Sequence, residues 1–409
     1  MMGINQKLEM PFEIDDKLCT GCMACICACS VNAIEIVQND EGFSFPRYDS
    51  DKCIDCGRCK SACPMQNKSC YVKHRLEDAD GEIAVLRDEK NLLNSASGGA
   101  FYGISSHVIS SGGVVYGAAF DDQFVVKHQR TDTIAELEAM QNSKYVQSDV
   151  GLIFREVLGD LKAGKECLFS GTPCQIAGLY GFLKRDYENL ITMEIICHGV
   201  PSPKLLEAEI KNRTKGKKDL EKIRFRTKSN RTKSHYILSF RFSNQKQKLY
   251  DKKHDLYYYL FSSGSAARES CYCCEYASSN RIADFTIGDN DSWREYGDFH
   301  ADTSNSVVMI HTEKAERLWK ECRHLFDFRS LDVPKEAGCN KHLTRPCERP
   351  ALRDEIYQAI TSEGWENVSQ KYCAAGNKFQ EWTLKLKVTM PARLLHLLVA
   401  ARKKVYRKH

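Results

Sequence analysis

Residues 19–29 read Cys19-Thr-Gly-Cys22-Met-Ala-Cys25-Ile-Cys27-Ala-Cys29, and residues 53–63 repeat the spacing as Cys53-Ile-Asp-Cys56-Gly-Arg-Cys59-Lys-Ser-Ala-Cys63. Both stretches contain the pattern C-x2-C-x2-C-x3-C. Three thiolates spaced in this way can surround three corners of one iron–sulfur cubane, and the fourth thiolate then reaches the cubane of the other stretch. The sequence therefore predicts two [4Fe–4S] clusters that lie close together.

The crossing of the fourth cysteine assigns the ligands of each cluster. One cluster takes Cys19, Cys22, Cys25 and Cys63, and the other takes Cys53, Cys56, Cys59 and Cys29. Structural zinc is the alternative, but zinc sites normally use two separated pairs of ligands. Residues 33–37 and 43–45 have the pattern of short strands around a turn. We predict a dicluster fold of the bacterial ferredoxin type over residues 1–68, in which the extra Cys27 is a packed free thiol.

The cysteine content points to a cellular compartment. The chain contains 20 cysteines among 409 residues. Its first residues lack the basic segment and apolar core of a secretory signal, and no apolar run reaches the roughly 18 residues of a membrane span. Disulfides are rare in the reducing cytoplasm. We therefore expect a cytoplasmic protein whose cysteines bind metal or carry out redox chemistry.

The net charge of +5 is concentrated near the end of the sequence. Residues 382–409 contain eight Lys and Arg and no Asp or Glu, so the rest of the chain is net acidic. This distribution argues against nucleic acid as a partner. Pro391 begins an apolar and basic segment with two interpretations. It is either a helix in peripheral contact with the inner membrane face or a helix docked on the body.

A second domain follows the cysteine-rich region. Residues 69–82 are polar and have the composition of a linker. Residues 83–86 and 114–120 then have the pattern of buried strands, with an amphipathic helical segment between them. We place an α/β domain at residues 83–345 and a C-terminal helical extension with the basic tail at residues 346–409.

Within this domain, residues 166–201 have the pattern of a strand–helix–strand unit. A strand over residues 166–170 is followed by the turn Gly171-Thr-Pro-Cys174, and a strand over residues 190–196 is followed by Cys197-His-Gly-Val-Pro201. A right-handed crossover makes two such strands parallel and usually adjacent. Both turns then lie at the carboxyl edge of the sheet, where α/β proteins bind ligands. The pattern therefore predicts that Cys174 and Cys197 lie close together.

Several motifs in order resemble a known family. They are Ser97-Gly-Gly99, Gly112-Gly-Val-Val-Tyr-Gly117, Asn142-Ser-Lys-Tyr-Val-Gln-Ser148, Ser170-Gly-Thr-Pro-Cys-Gln175, Cys197-His-Gly-Val-Pro-Ser202, Cys271-Tyr-Cys-Cys274 and Asp284-Phe-Thr-Ile-Gly-Asp289. Over about residues 80–345 this set is similar to the coenzyme F420 hydrogenase/dehydrogenase beta-subunit family. The resemblance implies a multidomain α+β and α/β protein: a bacterial-type dicluster ferredoxin fold followed by an α/β flavin-binding domain of the F420 hydrogenase beta-subunit type.

The resemblance also implies cofactors and site residues. It implies FAD and a third [4Fe–4S] cluster ligated by Cys174, Cys197, Cys271 and Cys274. The candidate flavin contacts are Ser97, Gly98, Gly99, Ser143, Lys144, Tyr145 and Thr172. His198 and Lys144 are the candidate catalytic residues, because histidine titrates near neutral pH and can supply a proton. An ordinary helix cap, a solvated loop and a structural histidine remain the alternatives for these positions.

Three functional hypotheses follow. The first is a flavin-dependent iron–sulfur oxidoreductase that passes electrons from the ferredoxin-type clusters through FAD to a small-molecule substrate or hydride carrier, with a role in surface-polysaccharide biosynthesis as one setting. The second is an electron-transfer subunit that works with a redox partner protein or soluble electron carrier. The third is a cluster-bearing binding protein without flavin. Residues 290–293 depart from the aromatic pair usual in the family, and this leaves the substrate open.

Overall fold

The computed structural model of the chain describes Phe12 and residues 14–217, 219–228, 236–374, 376 and 378–390. The strands are β1 Ile34–Gln38, β2 Ser44–Tyr48, β3 His74–Arg75, β4 Asp80–Leu86, β5 Val114–Phe120, β6 Val126–Thr131, β7 Cys167–Gly171, β8 Leu190–Ile195, β9 Leu220–Arg224, β10 Leu238–Phe242, β11 Gln247–Tyr250, β12 Asn280–Arg281, β13 Phe285–Asp289, β14 Ser306–Ile310 and β15 Phe326–Ser330.

The α-helices are α1 Ala24–Ala28, α2 Arg58–Ala62, α3 Glu89–Asn94, α4 Ala100–Ser110, α5 Ile134–Met140, α6 Ile153–Lys162, α7 Pro173–Leu183, α8 Pro203–Thr214, α9 Leu256–Ser262, α10 Glu313–Cys322, α11 Val333–Cys339, α12 Arg353–Glu363, α13 Trp365–Tyr372 and α14 Lys378–Thr389. Across the residues that the structure describes, no helix is both long and apolar enough to cross a lipid bilayer.

The cysteine-rich module repeats one local conformation. Helices α1 and α2 pack against each other, and each is preceded by a residue with a left-handed backbone, Met23 at φ 62° and Gly57 at φ 67°. Each helix ends at the fourth cysteine of its run, Cys29 or Cys63, in an extended conformation. Strands β1 and β2 form an antiparallel hairpin between the two helices. The duplicated cysteine spacing is therefore matched by a duplicated backbone turn.

The body of the protein is an eight-stranded mixed sheet in the order β15-β4-β14-β13-β8-β7-β5-β6. The four strands β13, β8, β7 and β5 are parallel, and the flanking strands are antiparallel to their neighbours. Helices α4, α5 and α10 supply buried apolar side chains on one face of the sheet. Helices α6 and α7 cover the other face, and the cysteine-rich module shares their hydrophobic cluster. The module therefore packs directly on the sheet domain.

Two of the expected boundaries separate segments that pack together in the structure. Within the segment 69–82, β3 pairs with β12 and Leu76 is buried, so this segment is part of the body rather than a free linker. Helices α12 and α13 do not form a separate extension, because Ile356, Trp365 and Val368 share a core with strands β9 and β10. The apolar and basic segment from Pro391 onward lies outside the described residues.

Candidate functional site

A cavity of about 270 Å³ lies at the carboxyl ends of the parallel strands β7, β8 and β13. The position agrees with the edge that the strand–helix–strand pattern predicts. Of the predicted site residues, the following line it: Ser97, Gly99, Ser143, Lys144, Tyr145, Thr172, Cys174, Cys197 and His198. The cavity therefore brings together residues that are about a hundred positions apart in the sequence.

Gly98 is not among the lining residues, and its predicted cofactor contact is not supported. Its backbone N–H donates to Ser306 Oγ at 3.0 Å, so this amide is not free to bind a phosphate. A Cβ atom at this position would lie 2.1 Å from the carbonyl oxygen of Ala84. Glycine is therefore required here for the close approach of this turn to β4 and β14. The neighbouring Gly99 caps α4 with φ +87° and does line the cavity.

The loop 142–148 forms one wall of the cavity. Lys144 Nζ donates to the carbonyl oxygens of Ala139 and Gln141 at 3.0 and 2.9 Å. Burial, together with the neighbouring charges of Lys222 and Arg224, lowers the pKa of Lys144 to about 7. Lys144 therefore changes charge within the physiological pH range.

Tyr145, beside it, is held by aromatic packing. Its ring stacks on Phe261 with the ring centroids 4.1 Å apart, and Tyr257 donates to its carbonyl oxygen at 2.6 Å. This packing fixes the backbone of the loop that presents Lys144 to the cavity.

His198 stacks on His342 with the ring centroids 4.0 Å apart. Burial, with a smaller contribution from His342, lowers the pKa of His198 to about 4. The imidazole is therefore neutral at pH 7 in this environment, and its catalytic role remains a prediction. In this environment His198 can accept or donate a hydrogen bond but does not carry an acidic proton at pH 7.

Arg226 is a cavity residue that the sequence motifs did not reveal. Its Nη1 donates to Asp289 Oδ2 at 2.6 Å and to the Tyr145 hydroxyl at 3.1 Å, and its guanidinium lies 4.3 Å from the centre of the Tyr236 ring. Arg226 and Asp289 also line an adjoining cavity of about 240 Å³, whose wall includes Trp293. No local sequence pattern marks Arg226, because its partners come from distant segments.

The four cysteines implied by the resemblance lie around a second, smaller cavity. This cavity is lined by Cys174, Cys197, Cys271 and Cys274, and also by Cys347, which no sequence motif singled out. Cys174 and Cys197 line the larger cavity as well, so the two cavities share a wall of thiols. Cys174 is placed by the start of α7, where Thr172 forms a capping box with Gln175.

The smaller cavity also has chemistry that suits an anionic group. Arg281 lines it, is 1% exposed and is paired with Glu194, yet its Nη2 has no hydrogen-bond partner. Among the described residues, no three His, Cys, Asp or Glu side chains are placed to hold a single metal ion. A cubane does not need that placement, because each thiolate binds a different iron atom. The donor set therefore fits a thiolate-ligated [4Fe–4S] cluster.

The two ferredoxin-type runs differ in exposure. Cys19, Cys22, Cys25 and Cys63 are all buried. The pKa of Cys22 is raised by burial and by the nearby thiols of Cys63, Cys19 and Cys174. The assignment of Cys63 to the set of Cys19, Cys22 and Cys25 remains a prediction. In the other run, Cys53 and Cys56 are exposed and Cys59 is half-buried. The assignment of Cys29 to that set remains a prediction.

Helix α7 connects the buried ferredoxin-type set to the second group of thiols. Cys174 lies in its first turn, and Gly178 lies one turn later against Cys22. A Cβ at Gly178 would lie 2.8 Å from Cys22 Cβ and 2.9 Å from Cys22 Sγ. Only a residue without a side chain allows this approach. The extra Cys27 donates its thiol to the Gly151 carbonyl oxygen at 3.4 Å, as a packed free thiol does.

Comparison with protein families matches three parts of the chain. Residues 164–330 match the family described as the C terminus of the beta subunit of coenzyme F420 hydrogenase/dehydrogenase. Two overlapping models, each described as a 4Fe-4S dicluster domain, match residues 18–67 and 45–97. The dicluster matches indicate iron–sulfur clusters in the first part of the chain. The first match includes Cys174, Cys197, Cys271 and Cys274 but not the segments 97–99 and 143–145.

Two individual proteins are also similar. An uncharacterized protein of Methanocaldococcus jannaschii is 22% identical over 205 residues, which cover 43% of this chain and 56% of that protein. The F420-reducing [NiFe] hydrogenase complex from Methanosarcina barkeri contains a chain that is 14% identical. That match covers 76% of this chain and 98% of the other, with a TM-score of 0.44.

Proposed function

We propose that this chain is a flavin-dependent oxidoreductase. Its residues 164–330 belong to the C-terminal domain family of coenzyme F420 hydrogenase/dehydrogenase beta subunits, and its first part is a 4Fe-4S dicluster domain. Electrons would pass from the ferredoxin-type clusters through a third cluster to FAD and then to a small molecule. The observation that carries the proposal is the wall shared by the two cavities, which Cys174 and Cys197 both line.

The arrangement of the thiols supports an order of sites along the transfer path. The exposed Cys53 and Cys56 offer an entry point for an external donor. The buried set around Cys22 comes next, because Cys22 contacts α7 near Cys174. The Cys174 group then adjoins the large cavity. Each step is between neighbouring sites in the structure.

A flavin held in the large cavity would supply the chemistry that joins single-electron donors to hydride transfer, in which two electrons leave together with one proton taken from solvent. The start of α4 at Gly99 presents backbone N–H groups that suit the phosphates. Lys144 would supply a positive charge, and the Arg226–Asp289 pair would position polar groups toward the adjoining cavity. The neutral His198 would act as a hydrogen-bonding group rather than as an acid.

The charge of Lys144 leads to a prediction about pH. Because its pKa is about 7 without an anion nearby, Lys144 is mostly charged at pH 6 and mostly neutral at pH 8.5. A charged hydrogen bond of about 1.5–3 kcal/mol would then be lost as the pH rises. We expect the affinity for FAD to fall by roughly tenfold over this range. Quenching of flavin fluorescence in titrations at several pH values measures the affinity.

The control for this prediction is a pair of lysine variants. Lys144→Met should bind FAD weakly at pH 6 and show little change between pH 6 and 8.5. Lys320→Met, which removes an exposed lysine on α10, should keep the pH dependence of the unmodified protein. An equal pH dependence in Lys144→Met and the unmodified chain would rule out Lys144 as the titrating group.

A second candidate function is an electron-transfer subunit that is active only with a partner protein. The observation that favours it is the exposure of Cys53 and Cys56, which suits docking of a redox protein. Turnover by the isolated chain with dithionite and FAD would favour the enzyme, and activity only after a partner is added would favour the electron-transfer role. A chain that binds no flavin would be the cluster-bearing binding protein.

The setting of the reaction is a further hypothesis. A role in surface-polysaccharide biosynthesis and contact of the basic tail with the inner membrane face rest on the sequence alone. The polysaccharide role is tested by measuring whether the protein reduces activated sugars. The membrane contact is tested by measuring binding of the full chain to anionic vesicles.

A further inference from the structure

Arg268 is a buried cation without a counter-charge. Its side chain is 1% exposed, and within the described ranges it forms no ion pair with a carboxylate. Its Nε donates to the Cys19 carbonyl oxygen at 2.8 Å, and its Nη1 donates to Ser44 and Gln147 at 3.0 and 3.1 Å. A buried guanidinium held only by neutral groups is costly, because burial removes several kcal/mol of hydration per ion.

One end of this guanidinium has no partner at all. Arg268 Nη2 is buried and makes no hydrogen bond. The ring of Phe45 lies 4.1 Å from the guanidinium carbon and covers one face, but a ring does not satisfy an N–H group in its plane. Since native proteins rarely leave a buried charged donor unpaired, this atom indicates a missing acceptor.

The position of Arg268 identifies the acceptor. The group lies against the turn of the first cysteine run, where a Cβ at Gly21 would be 2.9 Å from Nη1. Arg268 also lies beside the second group of thiols, because its carbonyl oxygen accepts a hydrogen bond from the backbone N–H of Cys271 at 2.9 Å. Arg268 is therefore near both the buried ferredoxin-type set and the Cys174 group.

We propose that Arg268 is the counter-charge of these two iron–sulfur sites and sets their reduction potentials. Four thiolates give a [4Fe–4S] centre a net negative charge, and reduction adds one more negative charge to it. A fixed positive charge and an N–H donor toward the sulfurs stabilise the reduced form more than the oxidised form. Arg268 thus raises the potential, so that an electron from the external donor is held at these sites. The part that concerns the Cys174 group rests on the proposed function.

A positioning role of this kind is distinct from a structural one. Arg353 is equally buried at 1% exposed and also joins the cysteine-rich module to the body, but it is paired with Glu41 and Glu269. Its charge is therefore already balanced by carboxylates. Arg353→Gln is the matched control, because it removes a buried guanidinium at the same interface without removing an unpaired charge.

The test is a redox titration of anaerobically purified protein followed by electron paramagnetic resonance. In Arg268→Gln we expect at least one cluster to have a lower reduction potential. At a fixed solution potential, the ratio of reduced to oxidised cluster should be roughly tenfold smaller, which corresponds to a change of about 59 mV in the reduction potential for one electron. Arg268→Lys keeps the positive charge, so its reduction potential should lie between those of Arg268→Gln and the unmodified chain. Arg353→Gln should lower the unfolding temperature without moving any potential.

The iron content separates failure of this inference from failure of the proposed function. If all reduction potentials in Arg268→Gln equal those of the unmodified chain, Arg268 has no such role, whether the unmodified chain holds about twelve iron atoms or about eight. If the unmodified chain holds about eight and one potential still shifts, the third cluster is absent but Arg268 acts on the buried ferredoxin-type cluster. If Arg268→Gln does not fold, Arg268→Lys and Arg268→Met are titrated in its place, and unchanged potentials in both contradict the inference.

Discussion

Replacing both Cys174 and Cys271 with serine is expected to lower the iron content from about twelve to about eight atoms per chain, since each [4Fe–4S] cluster contains four iron atoms. These two thiols approach the smaller cavity from different segments, the start of α7 and the turn before Cys274. A double change is used because Cys347 lines the same cavity and could replace one lost ligand. Iron and acid-labile sulfide are measured after anaerobic purification.

The matched control is a double change of two buried thiols elsewhere. Cys167 and Cys322 are both fully buried in the sheet domain, and neither lines the two cavities that Cys174 and Cys197 line. The Cys167→Ala, Cys322→Ala protein should lose stability by cavity formation but keep its iron. If the Cys174→Ser, Cys271→Ser protein retained all of its iron, these thiols would not be ligands.

Replacing Gly178 with leucine is expected to separate the cysteine-rich module from α7. The first side-chain carbon alone would lie within 3 Å of Cys22, and the backbone of both segments is fixed by packing. We expect a loss of roughly 3 kcal/mol in the free energy of unfolding, at the upper end for an overpacked core. Electron transfer from the first clusters to bound FAD should slow strongly, because the separation of the two thiol groups increases. Stopped-flow absorbance measures both cluster and flavin reduction.

The control for this change lies one helix away. Gly159 in α6 has nothing within 4 Å of a Cβ at its position, so Gly159→Leu should be neutral or slightly stabilising through helix propensity. Its flavin should be reduced at the rate of the unmodified protein. An equal rate of flavin reduction in Gly178→Leu and Gly159→Leu would show that contact at Gly178 does not govern the transfer.

The parts of the fold that could be predicted from sequence are those with local causes. The two cysteine runs specify their turns through spacing alone, and α1 and α2 repeat one conformation as a result. The meeting of Cys174 with Cys197 followed from the handedness of a strand–helix–strand unit, and β7 and β8 are parallel neighbours. These inferences needed no knowledge of the rest of the chain.

The missed residues depend on distant partners. Gly98 has the local pattern of a phosphate-binding turn, but its amide donates to Ser306, a residue 208 positions away. Arg226, Arg268 and Cys347 stand in no motif, and their importance comes from which groups the fold places beside them. A sequence pattern cannot distinguish a free amide from a bonded one or a paired arginine from an unpaired one.

The contacts that cross the expected domain boundaries also join distant segments. The polar composition of residues 69–82 is that of a linker, yet β3 pairs with β12, which lies in a distant part of the sequence. Trp365 looks like part of an appended helix, but its indole donates to the buried Glu209 at 2.6 Å. Each of these contacts is between segments that are far apart in sequence.

Two ferredoxin-type clusters, a third cluster and a flavin are expected to lie in this one chain. The most direct test is to purify the unmodified protein without oxygen and to measure iron, acid-labile sulfide and released flavin per chain. We predict about twelve iron atoms, about twelve sulfides and one FAD, with four irons in each cluster. About eight iron atoms and no flavin, even after incubation with FAD, would contradict the proposed electron path and leave a dicluster electron carrier or a cluster-bearing binding protein.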